Sequence, residues 1–178
     1  MCEPLAARGA RMLGVAAAAK NIAAARLHAD AGRPDIDYRI GEPRAALRDG
    51  ECFDVLLLLE VVEHVDNMHR FMDEAVQHVK PGGLLLASTI NRTARSFATA
   101  VVGAEPVFRV LSRGTHHWAR FVRPVELEQA AQAGGLRMHH CRGMRYVPVV
   151  HRAWWTRDLS VNYIASFTRE VAEKGSTR

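Results

Sequence analysis

Glu60, Glu63 and His64 stand together at the end of an unbroken apolar run, Phe53 to Leu59. Two carboxylates and an imidazole in so short a stretch suit a divalent cation. Oxygen donors favour Mg2+ or Mn2+, and the nitrogen also admits Zn2+. The order E-x-x-E-H is not the H-E-x-x-H of zinc proteases. A solvated surface turn accounts for the same residues without a metal. Position argues for more than a turn, because ligands of open α/β sheets bind at the carboxyl ends of the strands.

Other chemistry-bearing groups are less specific. Lys80-Pro81-Gly82-Gly83 reads as a helix stop feeding a strand and carries no catalytic group. Residues 92–123 hold six arginines, including Arg109, Arg113 and Arg120, against one acid, Glu105, with Val101, Val107, Phe108 and Leu111 interleaved. Such a block can be a lid, an interfacial membrane element, a nucleic-acid surface or an insertion packed on its own domain. His116, His117, His139 and His140 form two doublets without zinc-type spacing. His116 is the one assigned to face a substrate.

These groups need elements to position them, and the pattern alternates strand and helix. Arg11–Val15 and Ile36–Ile40 read as strands around a helix over Lys20–Ala31, with Ile22, Ala23, Arg26 and Leu27 at helical spacing. Phe53–Leu59 is continuously apolar, as in a parallel strand covered on both faces. Asp66 is a suitable N-cap for a helix carrying Phe71, Met72, Ala75, Val76 and Val79. Leu84–Ile90 is the next buried strand. Pro124 opens a helix that Gly134-Gly135 ends. Leu136–Tyr146 and Val161–Thr168 read as strands, joined by a segment holding Trp154 and Trp155. The alternation implies right-handed crossovers and an α/β fold with a mostly parallel sheet.

Composition sets the outer bounds. The 178 residues, 48% hydrophobic and 24% charged, predict one globular domain over 1–178 with an insertion at 92–123. A net charge of +5 favours anionic partners, nucleic acid or acidic lipid. Cys2, Cys52 and Cys141 show no paired spacing, which suits a reducing compartment. Arg8, Arg11 and the alanine run Ala16–Ala19 resemble a weak leader, but Glu3 and Pro4 come early and the apolar stretch Met12–Ala19 is short, so no cleaved leader is expected, and no run is long enough to span a bilayer.

Taken together the segments resemble the ubiquinone-biosynthesis O-methyltransferase family of class I S-adenosylmethionine-dependent enzymes. Phe53-Asp54-Val55, Glu60-Val61-Val62-Glu63-His64-Val65 and Val79-Lys80-Pro81-Gly82-Gly83 recur across many methyltransferases. More specific are Ser88-Thr89-Ile90-Asn91-Arg92, Val101-Val102-Gly103-Ala104-Glu105, Gly114-Thr115-His116 and Val161-Asn162-Tyr163. The resemblance implies a Rossmann-like methyltransferase fold, S-adenosylmethionine as cofactor, and O-methylation of a polyprenylated hydroxyphenol or hydroquinone. It implies that Glu60, Glu63 and His64 are catalytic and hold the metal, Mg2+ first. It also implies membrane contact through 92–123, a quinone-synthesis complex, no nucleic-acid partner, and a cytoplasmic place at the inner membrane.

The departures from the family fall on the cofactor half. The resemblance starts after the family's first strand and glycine-rich loop, both of which this chain is expected to lack. Ala16 stands where an acid binds the ribose hydroxyls, and Leu59 matches an apolar contact beside the cofactor. A fragment of an active parent and a catalytically impaired paralogue, serving as a membrane-associated scaffold, both fit these departures.

Overall fold

A computed structural model describes residues 1–32, 36–97, 118–147 and 152–171. Its backbone forms two compact units, Met1–Glu51 and Cys52–Arg178. Strand pairing follows the same division. One sheet has two strands and the other has five.

In the first unit α1 (Cys2–Ala6) precedes β1 (Met12–Ala16), α2 (Ala19–Gly32), β2 (Ile36–Ile40) and the short α3 (Pro43–Ala46). β1 and β2 run parallel, Met12 opposite Ile36 and Ala16 opposite Ile40. Parallel neighbours need a crossover, which α2 supplies. Ile22, Ala25 and Ala29 turn inward on α2 and pack with Tyr38. Leu27, expected on that face, is 74% exposed. The small residues set the packing face, and Leu27 lies off it. Gly14 permits the closest approach here, since a Cβ on it would come within 2.6 Å of the Tyr38 ring. Arg39 grips Glu51 through two hydrogen bonds, of 2.6 and 3.0 Å, and holds its carboxyl down at about 2.

The second unit contains β3 (Phe53–Leu59), α4 (Met68–Val76), β4 (Val79–Ile90), the one-turn α5 (Ala94–Ser96), α6 (Pro124–Ala133), β5 (Leu136–Val147), β6 (Arg152–Thr156) and β7 (Asn162–Arg169). The strand order is β3-β4-β7-β5-β6. β3 and β4 are parallel, joined by α4. The remaining pairs are antiparallel, so the sheet is mixed rather than mostly parallel. β5 and β6 are consecutive strands and pair antiparallel, as a short connection requires, and β7 inserts antiparallel between β4 and β5. Met72, Val76 and Val79 pack with Leu85, Leu127 and Phe167 into one core.

Three local expectations change. Asn67, not Asp66, caps α4, its side chain accepting a 3.0 Å bond from the Arg70 N–H. Asp66 instead meets Arg120 at 3.2 Å. Lys80-Pro81-Gly82-Gly83 belongs to β4 as an irregular start, with Phe53 opposite Val79 but Val55 opposite Leu84. Gly82 takes φ +75° there. The stop at the end of α4 is long-range. Arg169 of β7 donates to the carbonyls of Val76, Gln77 and Val79, and a cation suits a helix C-terminus. Lastly, β3 is an edge strand with Val55 49% exposed. It is not the strand covered on both faces that its composition suggested.

Candidate active site

β3 delivers the acidic motif to the carboxyl end of the sheet. Glu60 follows Leu59 directly and takes φ +53°, a left-handed conformation rare for a residue with a side chain. Its amide donates to the Ser88 carbonyl at 3.0 Å and to Ser88 Oγ at 3.2 Å. Ser88 Oγ in turn donates to Glu60 Oε1 at 2.7 Å. The chain then makes a tight turn in which the His64 amide reaches the Val61 carbonyl at 2.9 Å. The turn buries Val62 and Glu63 and leaves His64 exposed.

Glu63 is 3% exposed and accepts a 2.7 Å bond from Thr89 Oγ1, which is itself fully buried. Burial pushes the Glu63 carboxyl up to about 7. The Thr89 hydroxyl opposes that rise, while the like charge of Glu60, whose side chain meets Glu63, adds to it. Adjacent residues of β4 thus hold the two carboxylates of the motif. Ser88 holds the outer one and Thr89 the inner one.

A cavity of about 300 Å3 lies between the turn after β3 and the start of α6, and neither Glu60 nor Glu63 lines it. Val62, Val65, Met68 and Phe121 give it apolar wall, while Arg92 and His69 bring basic groups. Arg92 is ion-paired with Glu126 and donates to the Ala119 carbonyl at 3.3 Å. Asn91 Nδ2 donates to the Leu159 carbonyl at 2.8 Å and ties the end of β4 to the loop before β7. A pocket of this size, part apolar and with a few charged groups in its wall, is a ligand-site geometry.

A methyltransferase-domain family model matches residues 1–87. A ubiquinone biosynthesis O-methyltransferase from Methylobacterium nodulans is 47% identical over 173 residues, 97% of this chain and 69% of that protein. The protein of the same name from Brucella anthropi is 45% identical over 164 residues, 92% of this chain and 66% of its own length. The chain belongs to the ubiquinone biosynthesis O-methyltransferase family. It spans about two thirds of the length of these curated relatives. A SAM-dependent methyltransferase from Methanosarcina mazei shares the fold with TM-score 0.66 at 13% identity, over 94% of this chain and 86% of that one.

S-adenosylmethionine is the cofactor expected from the sequence. Of the two positions expected to touch it, Ala16 closes β1 in the first unit, opposite Ile40, and offers a methyl group but no hydroxyl-binding oxygen. Leu59 closes β3 in the second unit, opposite Ser88, and is half-buried. The expected metal triad does not assemble as a triad. Among the described residues no group of three or more His, Cys, Asp or Glu side chains converges as a metal site. His64 is carried out to the surface by the turn that buries Glu63. The two carboxylates do meet, and they suit a hard ion. Magnesium binds proteins through one or two carboxylates, with water and substrate oxygens completing its shell.

Ser88 and Thr89 had no assigned role in the sequence. The signal was present, since two neighbouring hydroxyls in an apolar strand put one polar group on the buried face whichever way the strand turns. His116 and most of the basic block lie outside the described residues. His139 and His140 sit exposed on β5, at its pairing irregularity with β7.

Proposed function

We propose that this chain carries out S-adenosylmethionine-dependent O-methylation of a polyprenylated hydroxyphenol or hydroquinone in ubiquinone biosynthesis. The observation that carries this reading is the carboxylate pair Glu60–Glu63, held by the hydroxyls of Ser88 and Thr89 at the mouth of β3 and β4. It stands in a chain whose relatives are named ubiquinone biosynthesis O-methyltransferase.

A phenol is a poor nucleophile until it loses its proton. Glu63, with a carboxyl near neutrality, is matched to that task, because a general base works best with a pKa close to the operating pH. The exposed Glu60 lies between Glu63 and solvent and can pass the proton inward. Ser88 and Thr89 fix both carboxylates, so no rearrangement is needed as charge moves. In a metal-bound form Glu60 and Glu63 would instead hold the ion, magnesium above others, and the ion would lower the hydroxyl pKa in place of a carboxylate base. The cavity walled by Val62, Val65, Met68 and Phe121 can seat the ring and the first carbons of its tail.

Calorimetric titration with S-adenosylmethionine tests the cofactor, and methylation of a short-chain hydroxyphenol tests the chemistry. Glu63→Gln should lower kcat by about 100-fold or more, the range for a lost general base, with cofactor affinity unchanged. Absence of any heat at millimolar cofactor would overturn the enzymatic reading and leave the scaffold role.

A further inference from the structure

Tyr163 is a buried tyrosine that the chemistry above leaves unused. It lies on β7 directly opposite Thr89 of β4, so its ring shares a sheet face with the hydroxyl that holds Glu63. It is 2% exposed and belongs to one buried cluster with Val62 and Val122. Both valines line the cavity at the start of α6, and Tyr163 itself does not. The tyrosine stands behind the wall.

Its hydroxyl donates to the Val122 carbonyl at 3.1 Å, a buried bond between residues 41 positions apart in the chain. The Val122 amide donates to the Ile90 carbonyl, also at 3.1 Å. Both polar groups of the Val122 backbone are thus fixed by β4 and β7, the strands whose register sets Thr89. Residues 121–123 belong to no helix or strand, so no ladder supplies these bonds. A phenylalanine would fill the space of the tyrosine ring. The hydroxyl adds one thing, a partner for a buried carbonyl. Burial, with Cys141 and the carboxylates of Glu126, Glu63 and Glu60 acting in the same direction, pushes that hydroxyl above the usual phenol range. It keeps its proton and remains a donor.

We propose that Tyr163 is a positioning residue for the acceptor phenol. Acting through Val122, it sets the stretch of cavity wall formed by Phe121 and Val122, and with it the seat of the ring relative to the strand ends that carry Glu60 and Glu63. The inference rests on the proposed function in one respect, that this cavity seats the acceptor ring.

Tyr163→Phe keeps the ring and removes the hydroxyl. In the full chain it should raise KM for a catechol bearing one prenyl unit about fivefold or more, the scale of one lost buried hydrogen bond. The kcat and the calorimetric affinity for S-adenosylmethionine should stay within about twofold. Val122→Ala trims the wall itself and should raise the same KM. Circular dichroism checks that each variant is folded. Hydrogen exchange traces the path: in the tyrosine variant the Val122 amide should exchange about fivefold faster or more, while amides across β4 and β7 keep their rates. A tyrosine that only supported the fold would quicken all of these together and leave KM alone. An unchanged KM in either folded variant overturns the inference. So does a KM that rises together with the cofactor dissociation constant, or a uniform quickening of exchange. A chain that binds the catechol without methylating it overturns the proposed function instead, and the dissociation constants of the catechol then decide the role of Tyr163 in place of KM. A catechol that does not bind the unaltered chain overturns both.

Discussion

Glu63 is the residue on which the chemistry turns, and its environment carries a cost that pH exposes. Its carboxyl rises to about 7 in the folded chain, mainly through burial. The protonated form is therefore favoured by folding. That contribution is fully present below the ordinary glutamate range and is lost as pH rises through about 7. Glu63→Gln keeps the shape without the charge. In the presence of a chelator, its stability relative to the unaltered chain should improve between pH 5 and pH 8 by on the order of 2 kcal/mol. Urea denaturation at the two pH values measures this, and parallel curves would show that the carboxylate ionises at no cost. The identity and position of Glu60 and Glu63 were legible in the sequence. Their separation from His64 was not, because it depends on which residues of one short turn are buried, and spacing along the chain does not encode that.

At the scale of elements, local signals were reliable where one residue type governs the outcome and failed where a distant residue does. Pro124 and Gly134-Gly135 bound α6 as expected, since both act through their own backbone. Asp66 and Asn67 are both competent caps, and tertiary context chose between them by placing Arg120 against Asp66. Asn67→Ala should cost about 1 kcal/mol in a denaturant melt, and Asp66→Ala much less because its ion pair is exposed. Equal costs would return the cap to Asp66. The end of α4 was assigned to a proline-glycine turn and is made by Arg169, which reaches it from the last strand. No local reading of residues 77–83 contains that information.

On the scale of the molecule, the two units differ sharply in the core each holds. The second surrounds Met72, Leu85, Leu127 and Phe167, all essentially sealed from solvent, while the first closes over Ile22, Ala29 and Tyr38. Small cores seldom outweigh chain entropy. A chain of residues 52–171 should therefore melt cooperatively by circular dichroism, and a chain of residues 1–51 should show no transition. A cooperative melt of the short piece would contradict this. Among the described residues no helix is long and apolar enough to cross a membrane. The sequence by itself determined the order of the longer strands and helices, though not β6, α3 or α5, and with it the family and the carboxylates at the end of β3, because hydrophobic period, turn residues and motif spacing are properties of neighbouring residues. Only the tertiary structure decided that β7 runs antiparallel between β4 and β5, that Ser88 and Thr89 clamp Glu60 and Glu63, and that Tyr163 reaches Val122. Each depends on strand register and burial between residues far apart in the chain, and those are fixed by packing rather than by local preference.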